Sequence, residues 1–224
     1  MVTDLPEQDV RAFIRETFRC SDEIATTIFG RGTVRTYPQK HVIVRQGEEA
    51  ATAHLLTLGR AQALLFSVDG QTIMLCEYRP GDLFGALGGL DPAPEAEIRA
   101  VEASRSFVLR SRELIALAES YGSIGLAMAR VLVKQLRQAT SRIFLRAAVS
   151  AQGRVYDELL RLARASPDLT IRPAPVLSEL AVRASTTRET ASRAVSALER
   201  RGLIRRDAHS LTVVAPQRLE ELII

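Results

Sequence analysis

The stretch STTRETASRA, from Ser185 to Ala194, decides how the fold of this 224-residue chain is interpreted. The residues before it, Leu177–Ala184, have the apolar spacing of a short helix. Ser185 and Thr186 then predict a turn, and Thr187–Arg200 predicts a second, longer helix. Two short helices joined by a tight turn are typical of a helix-turn-helix motif.

The second helix is predicted to be amphipathic, with apolar and polar faces that do not overlap. At about 100° per residue, one apolar arc contains Ala191, Ala194, Val195 and Leu198. A separate polar arc contains Arg188, Glu189, Ser192 and Arg193. A helix of this kind suits insertion into the major groove of DNA. There an arginine can bond O6 and N7 of guanine, and a glutamate can accept from N4 of cytosine.

Two other interpretations of this polar arc stay open. The helix could belong to a small helical domain whose charged face is simply solvated. Thr186 and Glu189 also have the S/T-x-x-E spacing of a capping box, in which the glutamate bonds the start of the helix. The sequence therefore leaves Glu189 either to read a base or to cap the helix.

Positive charge is concentrated in this part of the chain. The whole sequence has 30 basic and 26 acidic residues, a net charge of +4. The segment Arg172–Arg206 alone has eight arginines and three glutamates, a net charge of +5. Such a local excess is expected where a protein contacts phosphates. Aromatic residues make up only 5% and tryptophan is absent, which disfavours a stacking platform for single-stranded nucleic acid.

The residues after the second helix predict a β-hairpin. Gly202 is placed to end the helix, and Leu203 and Ile204 begin a strand-like run. The chain then turns through Arg205–Ser210 into Leu211–Val214. This hairpin would form a wing whose Arg205, Arg206 and His209 reach DNA phosphates; for His209, a plain surface histidine is the alternative.

The first half of the chain has the pattern of an antiparallel β domain. Turn signals at Gly47, Gly59, Asp69-Gly70 and Pro80-Gly81 separate short β-rich runs, which suggests a barrel or sandwich. The predicted strands are Val34–Tyr37, His41–Val44, Ala53–Leu58, Ala61–Ser67, Thr72–Tyr78 and Arg105–Leu109. Val68–Gln71 is expected to form a hairpin turn, because Asp-Gly tolerates positive φ angles.

A long helical stretch from Glu113 to about Ala148 links the two parts. Its seam has the spacing of roughly two heptads and consists of Ala129, Leu132, Leu136, Ala139 and Ile143. This seam either packs on its own domain or pairs with the same helix of a second copy. No acidic residue lies between Glu119 and Asp157. The basic flank is therefore either solvated or close to DNA or an anionic effector.

Several classes of protein are disfavoured. The two cysteines, Cys20 and Cys76, are too few for a disulfide framework or a four-cysteine metal site, and they fit a reducing cytoplasm. Residues 1–10 lack a signal-peptide layout, and no uncharged apolar run reaches about 18 residues, so no membrane span is expected. Neither a phosphate-cradling glycine loop nor a nucleophile motif is present, and we expect no enzyme and no metal site.

Taken together, the segments resemble the Crp/Fnr family of bacterial transcription regulators. The winged helix-turn-helix resemblance lies in Ser185–Ala194, Leu198-Glu199 and Gly202–Ile204. Tyr37-Pro38 through Gly47-Glu48, Gly59-Arg60, Asp69-Gly70 and Pro80–Gly85 are similar to the family's β-roll sensor domain. The resemblance covers nearly the whole chain after the first twenty or so residues.

The resemblance implies an α+β architecture in three parts. Residues 1–112 would form an N-terminal antiparallel, jelly-roll-like β-roll sensor domain, 113–149 a long dimerisation helix, and 150–224 a winged helix-turn-helix. It also implies a homodimer that binds a near-palindromic site in double-stranded DNA, with RNA polymerase as a further partner. The DNA-contacting residues would be Thr187, Arg188, Glu189, Ser192, Arg193, Arg205, Arg206 and His209, with Arg188, Glu189 and Arg193 in the family's base-contacting positions.

The cyclic-nucleotide phosphate cassette departs from the family pattern. The glutamate that binds the ribose hydroxyl would follow the Phe84-Gly85 pair, but Ala86 and Leu87 stand there. The phosphate-binding arginine would fall near Pro94 and Glu95, and Arg99 matches a later arginine. The Thr-Ser pair of the long helix becomes Ala139-Thr140. The predicted effector pocket comprises Phe84, Gly85, Ala86, Leu87, Glu95, Ala96, Gln135, Ala139 and Thr140.

Ordinary binding of cyclic AMP or cyclic GMP is therefore not expected, and no cofactor is assigned. The alternatives are a cyclic dinucleotide, haem held by residues such as His41, His54 or Cys76, or regulation without a small molecule. A different class also stays open, a ligand-binding regulatory subunit that controls a partner protein through its C-terminal helices.

Overall fold

A computed structural model describes residues 7–66, 72–88 and 95–223 of the chain, with side chains from Val10 onward. Contacts divide the chain into two units: residues 1–66 with 75–139, and residues 67–74 with 140–224. The predicted turn at Val68–Gln71 and the cassette residue Pro94 lie outside the described residues.

Two antiparallel sheets form the β-roll of the N-terminal unit. One has the strand order β1-β8-β3-β6, and the other β2-β7-β4-β5. The strands are β1 (Gly32–Tyr37), β2 (Val42–Val44), β3 (Thr52–Leu58), β4 (Ala61–Phe66), β5 (Thr72–Tyr78), β6 (Leu83–Gly85), β7 (Glu97–Ala100) and β8 (Ser104–Arg110). The six predicted strands correspond within two residues to β1–β5 and β8, whereas β6 and β7 were not predicted.

Alternation along β3 separates two hydrophobic clusters in this unit. Ala53 and Leu55 point to one side, where helices cover the sheet, and Leu56 points to the other, into the interior of the roll. A strand with both faces covered is buried throughout, because successive side chains point to opposite faces. β3 is therefore buried from Ala53 to Thr57, including the polar side chain of His54, and β8 is buried in the same way from Ser104 to Leu109.

Two N-terminal helices that the sequence analysis did not predict complete this core. They are α1 (Glu7–Phe18) and α2 (Asp22–Phe29). Val10, Ile14 and Phe18 recur every four residues and form one buried face of α1. The Ser21 hydroxyl caps α2 by accepting the Ile24 N–H at 3.4 Å. The helical periodicity of α1 was thus present in the sequence.

The predicted single stretch from Glu113 to Ala148 consists of two helices. They are α3 (Ser111–Ser120) and α4 (Gly122–Ala148), bent by 119° at Tyr121, which has an extended backbone. Among the described residues no single helix is long and apolar enough to cross a membrane, and α3 and α4 meet that test only as a bent pair.

The C-terminal unit has its own core of helices and a small sheet. Its elements are α5 (Ala151–Ala163), β9 (Thr170–Ile171), α6 (Leu177–Arg183), α7 (Arg188–Arg200), β10 (Ile204–Arg206), β11 (Leu211–Val213) and α8 (Pro216–Glu220). α5 packs against both α6 and α7, and Val155, Leu159 and Leu180 are fully buried there. The sheet has the order β10-β11-β9, so the predicted hairpin gains a third, unpredicted strand from the segment between α5 and α6.

Candidate DNA-binding surface and sensor site

Helix α7 has the two faces that its sequence predicts. Its buried residues are Ala191, Ala194, Val195 and Leu198. Arg188, Glu189 and Arg193 are exposed, and Ser192 is half-buried. The apolar face is held in the core of the C-terminal unit, so the direction of the charged face is fixed by packing.

The start of α7 differs from the capping box suggested by the sequence. Thr187 is the N-cap, and its Oγ1 accepts the backbone N–H of Thr190 at 3.2 Å. Glu189 is therefore the second residue of the helix rather than the third, and the predicted pairing with Thr186 is wrong. Hydrogen bonds from its own backbone N–H and from the Thr187 hydroxyl lower the pKa of Glu189. The carboxylate is thus ionised, tied to the helix start and still exposed.

The wing is a tight hairpin closed by an aspartate. One carboxylate oxygen of Asp207 accepts the backbone N–H groups of His209 and Ser210, each at 2.7 Å. These bonds, with one from the Ser210 hydroxyl, lower the pKa of Asp207. Arg205 and His209 are exposed at the same hairpin.

Arg206, which the sequence assigned to phosphate contact, already has an acidic neighbour. Its Nη2 lies 3.7 Å from Oε2 of Glu199, near the end of α7. Both side chains are about 40% exposed (39% and 41%), so the pair is weak and can exchange with another anion. The contact joins the β10–β11 hairpin to α7.

A buried ion pair fixes α6 on α5. Glu158 is 7% exposed and Arg183 is 8% exposed, and their closest atoms lie 3.4 Å apart. Arg161 also donates to both oxygens of Glu158, at 2.6 and 2.8 Å. None of these three residues was singled out from the sequence, because their partners lie on different turns or helices.

In the sensor domain, the predicted cassette begins on a stacked aromatic group. The ring of Phe84 lies 5.0 Å from that of His54, at 3° between planes, and 4.8 Å from that of Tyr78. Gly85 has φ +88, and a Cβ there would lie 2.5 Å from the carbonyl oxygen of Thr52. This position therefore requires glycine.

His54 is buried against three hydroxyl groups. Its Nε2 lies 3.0 Å from Oγ1 of Thr52, and its Nδ1 lies 3.2 Å from Oγ of Ser106 and 3.5 Å from the hydroxyl of Tyr37. Burial, and to a lesser extent the charge of Arg35, lowers the pKa of His54 to about 4. The ring is neutral at physiological pH and is fully occupied by these contacts. The other two candidate haem ligands differ from His54 in their burial, since His41 is exposed and Cys76 is half-buried.

Three of the remaining cassette residues, Ala86, Leu87 and Ala96, make contacts within their own domain. The Ala86 carbonyl accepts from Oγ of Ser111 at 2.6 Å, and Leu87 is buried in the core below the sheet. Ala96 packs on the interior cluster, whereas Glu95 is exposed. Arg99 is paired with Glu97 at 2.6 Å.

Helix α4 contributes one predicted pocket residue to the roll. Gln135 donates to the Leu83 carbonyl at 3.0 Å, and Nζ of the preceding residue, Lys134, lies 2.5 Å from Oδ1 of Asp82. Ala139 and Thr140 are exposed. Lys134, part of the basic flank, is therefore neutralised by an acid from the β5–β6 loop.

The predicted seam of α4 is not buried by its own chain. Leu132, Leu136 and Ile143 are 50%, 66% and 68% exposed, and Ala129 and Ala139 are also exposed. Leu126, Val133 and Phe144 continue the same apolar stripe at 50–65% exposure. The interpretation in which these leucines pack on their own domain is therefore wrong.

Among the described residues, no group of three or more His, Cys, Asp or Glu side chains could hold a metal ion.

Comparison with known families agrees with this geometry. Residues 34–121 match the cyclic nucleotide-binding domain, and residues 153–222 match the Crp-like helix-turn-helix domain. The chain therefore contains a sensor domain of the cyclic nucleotide-binding type and a DNA-binding domain.

Individual relatives align with this chain over most of its length. The cyclic AMP receptor protein of Thermus thermophilus is 31% identical over 203 residues, which cover 89% of this chain and 91% of that protein. The CRP-like cAMP-activated global transcriptional regulator of Mycobacterium tuberculosis is 27% identical over 201 residues, covering 82% and 84%. A solved structure of a CooA mutant from Carboxydothermus hydrogenoformans matches with a TM-score of 0.78 at 19% identity, covering 94% of this chain and 95% of that one. This match confirms the predicted fold class.

Proposed function

The chain belongs to the Crp/Fnr family of transcription regulators, and on that premise we propose that it binds a near-palindromic DNA site as a homodimer. Each copy places α7 in one major groove, and the two recognition helices lie about 34 Å apart. In this proposal Arg188, Glu189 and Arg193 read base edges. Thr187, Ser192, Arg205, Arg206 and His209 contact phosphates or the edge of the groove.

The observation that carries the proposal is the outward face of α7. Three charged side chains lie exposed within its first two turns, while the opposite face is locked into the core. Because the buried face of α7 is fixed in the core, the exposed face can enter a groove without any rearrangement of the domain. Arginine and glutamate also supply donors and acceptors that distinguish G·C from C·G pairs in the major groove.

We propose that the exposed apolar stripe on α4 packs against the same helix of a second copy of the chain. Monomeric proteins rarely expose contiguous rows of leucine, valine, isoleucine and phenylalanine, and here such a row runs along one helix at heptad-like spacing. Leu136→Lys should give a monomer in analytical ultracentrifugation. Ser141→Lys, about 140° around the helix, should leave a dimer. Equal masses for the two variants would contradict the seam.

DNA recognition is tested by selecting binding sites from a random duplex pool and footprinting the best one. Arg188→Ala and Arg193→Ala should each lose base preference at one position per half-site, with a cost of about 1–3 kcal/mol. Arg218→Ala removes the same charge from α8 and should keep the preference. Unchanged affinity and preference in the first two variants would overturn the recognition-helix assignment.

The same experiment separates a DNA-binding regulator from a regulatory subunit of another protein. Binding of the regulator should weaken steeply as salt rises, because contacts to phosphates release counterions. Wild-type protein without salt-dependent affinity for duplex DNA would favour the regulatory-subunit alternative.

We further propose that the protein works in the cytoplasm, where its DNA lies, with RNA polymerase as partner and no catalytic activity of its own.

For the sensor domain, we propose that cyclic AMP and cyclic GMP are not bound in the usual way. A cyclic phosphate needs a cation and hydrogen-bond donors, and burying its charge without them costs several kcal/mol. The cassette positions hold Ala86, Leu87 and the exposed Glu95, and Arg99 is engaged by Glu97. These observations support regulation by another ligand or by none.

Calorimetric titration with cyclic AMP, cyclic GMP and a cyclic dinucleotide tests this proposal. No heat of binding is expected from either mononucleotide. Micromolar binding of one of them would overturn the proposal, and binding of the dinucleotide alone would support a different anionic effector. Because the proteins named above include regulators activated by cAMP, the M. tuberculosis regulator serves as the positive control.

A further inference from the structure

The guanidinium of Arg154 contacts two segments of the C-terminal unit, the junction between α4 and α5 and the turn between α6 and α7. Nη1 of Arg154 donates to the carbonyl of Val149 at 2.9 Å. Its Nε donates to the carbonyl of Ala184 at 2.9 Å, and its Nη2 donates to that of Ser185 at 3.0 Å. All three nitrogens of the side chain are therefore engaged by backbone oxygens.

The three carbonyls belong to two different breaks in the helical structure. Val149 lies between the end of α4 at Ala148 and the N-cap of α5 at Ser150. Ala184 and Ser185 lie between α6 and α7, in the turn of the helix-turn-helix. Helix ends leave carbonyls without partners inside the helix, and an arginine can satisfy them. Arg154 does so at both breaks at once.

The turn itself has an unusual backbone that these bonds support. Ser185 has φ +49, a left-handed conformation that is unfavourable for residues other than glycine. The Thr186 N–H closes the turn by donating to the Ala181 carbonyl at 2.9 Å. The turn determines how α7 leaves α6, so a bond to the Ser185 carbonyl bears on the direction of the recognition helix.

The break between α4 and α5 is also closely packed. A Cβ on Gly153, beside Arg154, would lie 2.6 Å from the Ile223 carbonyl oxygen and 2.7 Å from Cγ1 of Val149. The start of α5 therefore lies against both Val149 and the C-terminal segment, with little room for independent movement. A displacement of Val149 would be passed on to the first turn of α5, where Arg154 is attached.

We propose that Arg154 is a positioning residue that couples the α4–α5 junction to the turn of the helix-turn-helix. The inference rests on the proposed DNA-binding function and deepens it by naming the residue that sets the pose of α7. Arginine is required because its planar fork donates in three fixed directions, whereas the lysine ammonium is a single point that cannot span the three carbonyls.

The test compares Arg154→Gln and Arg154→Lys with Arg164→Gln, all on purified full-length protein. Arg164 follows the last turn of α5 and pairs with Glu220, so its loss removes one charge without touching the turn. The first readout is the ratio of affinities for the selected site and for unrelated duplex DNA at one salt concentration. The second is amide hydrogen exchange across residues 184–190 and 149–153, measured without DNA.

Both Arg154 variants should lower the affinity ratio about tenfold or more, the usual effect of losing one hydrogen bond to a charged group. Exchange should accelerate at both segments together, and Arg164→Gln should leave both readouts unchanged. A variant that only weakened the fold would raise exchange throughout α5, α6 and α7, and that result would overturn the proposal.

Two further outcomes are distinct. If exchange at residues 184–190 stays at the wild-type rate in both Arg154 variants, the coupling is wrong even though DNA recognition stands. If the wild type shows no preference for any duplex, the proposed function fails, and the exchange data still decide whether Arg154 links the two segments.

Discussion

Glu158 on α5 and Arg183 at the end of α6 form an ion pair in which both side chains are almost completely buried, with their nearest atoms 3.4 Å apart. Arg161 neutralises the same carboxylate from the next turn of α5. The pair holds α6, the helix before α7, against α5, so its loss is expected to lower the stability of the C-terminal unit.

Replacing Glu158 by glutamine should therefore be strongly destabilising. In Glu158→Gln the carboxylate of a pair in which both side chains are almost completely buried is lost, and breaking a buried ion pair typically costs about 3–5 kcal/mol. Urea denaturation of Glu158→Gln checks this value. Glu220→Gln, which breaks the exposed pair with Arg164, is the control and should change the free energy of unfolding by less than about 1 kcal/mol. Equal effects of the two variants would contradict the structural role of Glu158.

The two threonines before α7 should differ in their contribution to stability. Thr187→Ala removes the hydroxyl that caps α7 and should cost about 1 kcal/mol. Thr186→Ala removes no cap from α7 and should cost less. Thermal unfolding of both variants decides between the observed N-cap and the capping box suggested by the sequence. A larger loss in Thr186→Ala would favour the capping box.

The contact between Glu199 and Arg206 should restrain binding to DNA. In Glu199→Gln, Arg206 has no carboxylate beside it on α7, so it can contact a phosphate. We expect tighter binding to non-specific DNA and a salt slope steeper by about one counterion. Glu221→Gln adds the same net charge elsewhere and should leave the slope unchanged. Identical slopes for the two variants would mean that Arg206 does not reach the backbone.

His54 should make the stability of the protein depend on pH. Its pKa is about 4 in the folded state and about 6.5 when unfolded, so between these values the unfolded chain binds more protons. The free energy of unfolding should rise with pH from about 4 to 6.5, by up to about 3 kcal/mol from this group, and level off above. His54→Phe should flatten that rise in denaturation at several pH values, whereas His209→Gln, at an exposed position, should not. A rise that survives in His54→Phe must come from other groups.

The parts of the fold that were predictable are those in which local periodicity and burial agree. The two arcs of α7 follow from a 3.6-residue period on one short helix, and the core confirms them. Strands such as β3 and β4 were found through their apolar runs and the glycine turns beside them. The periodicity of Val10, Ile14 and Phe18 is equally visible in the sequence, although α1 was not predicted.

Other features depended on contacts between distant residues. β9 is two residues long, and it is a strand only because β11 pairs with it, Ile171 opposite Leu211. The break at Tyr121 lies within a sequence that is helical on both sides.

The sequence by itself determined the class of the protein, because a helix-turn-helix, its wing and the β-roll turns are each encoded by neighbouring residues whose spacing is legible along the chain. It also predicted which residues form the buried and the exposed faces of α7. Only the tertiary structure decided which polar groups meet: Arg154 with three carbonyls, Glu158 with Arg183, and His54 with Thr52 and Ser106. Most of these partners are 25 or more positions apart, and even the near ones meet only in the folded backbone. Hydrogen bonds and ion pairs act over about 3 Å, so packing of the core brings them together and the linear pattern does not reveal them.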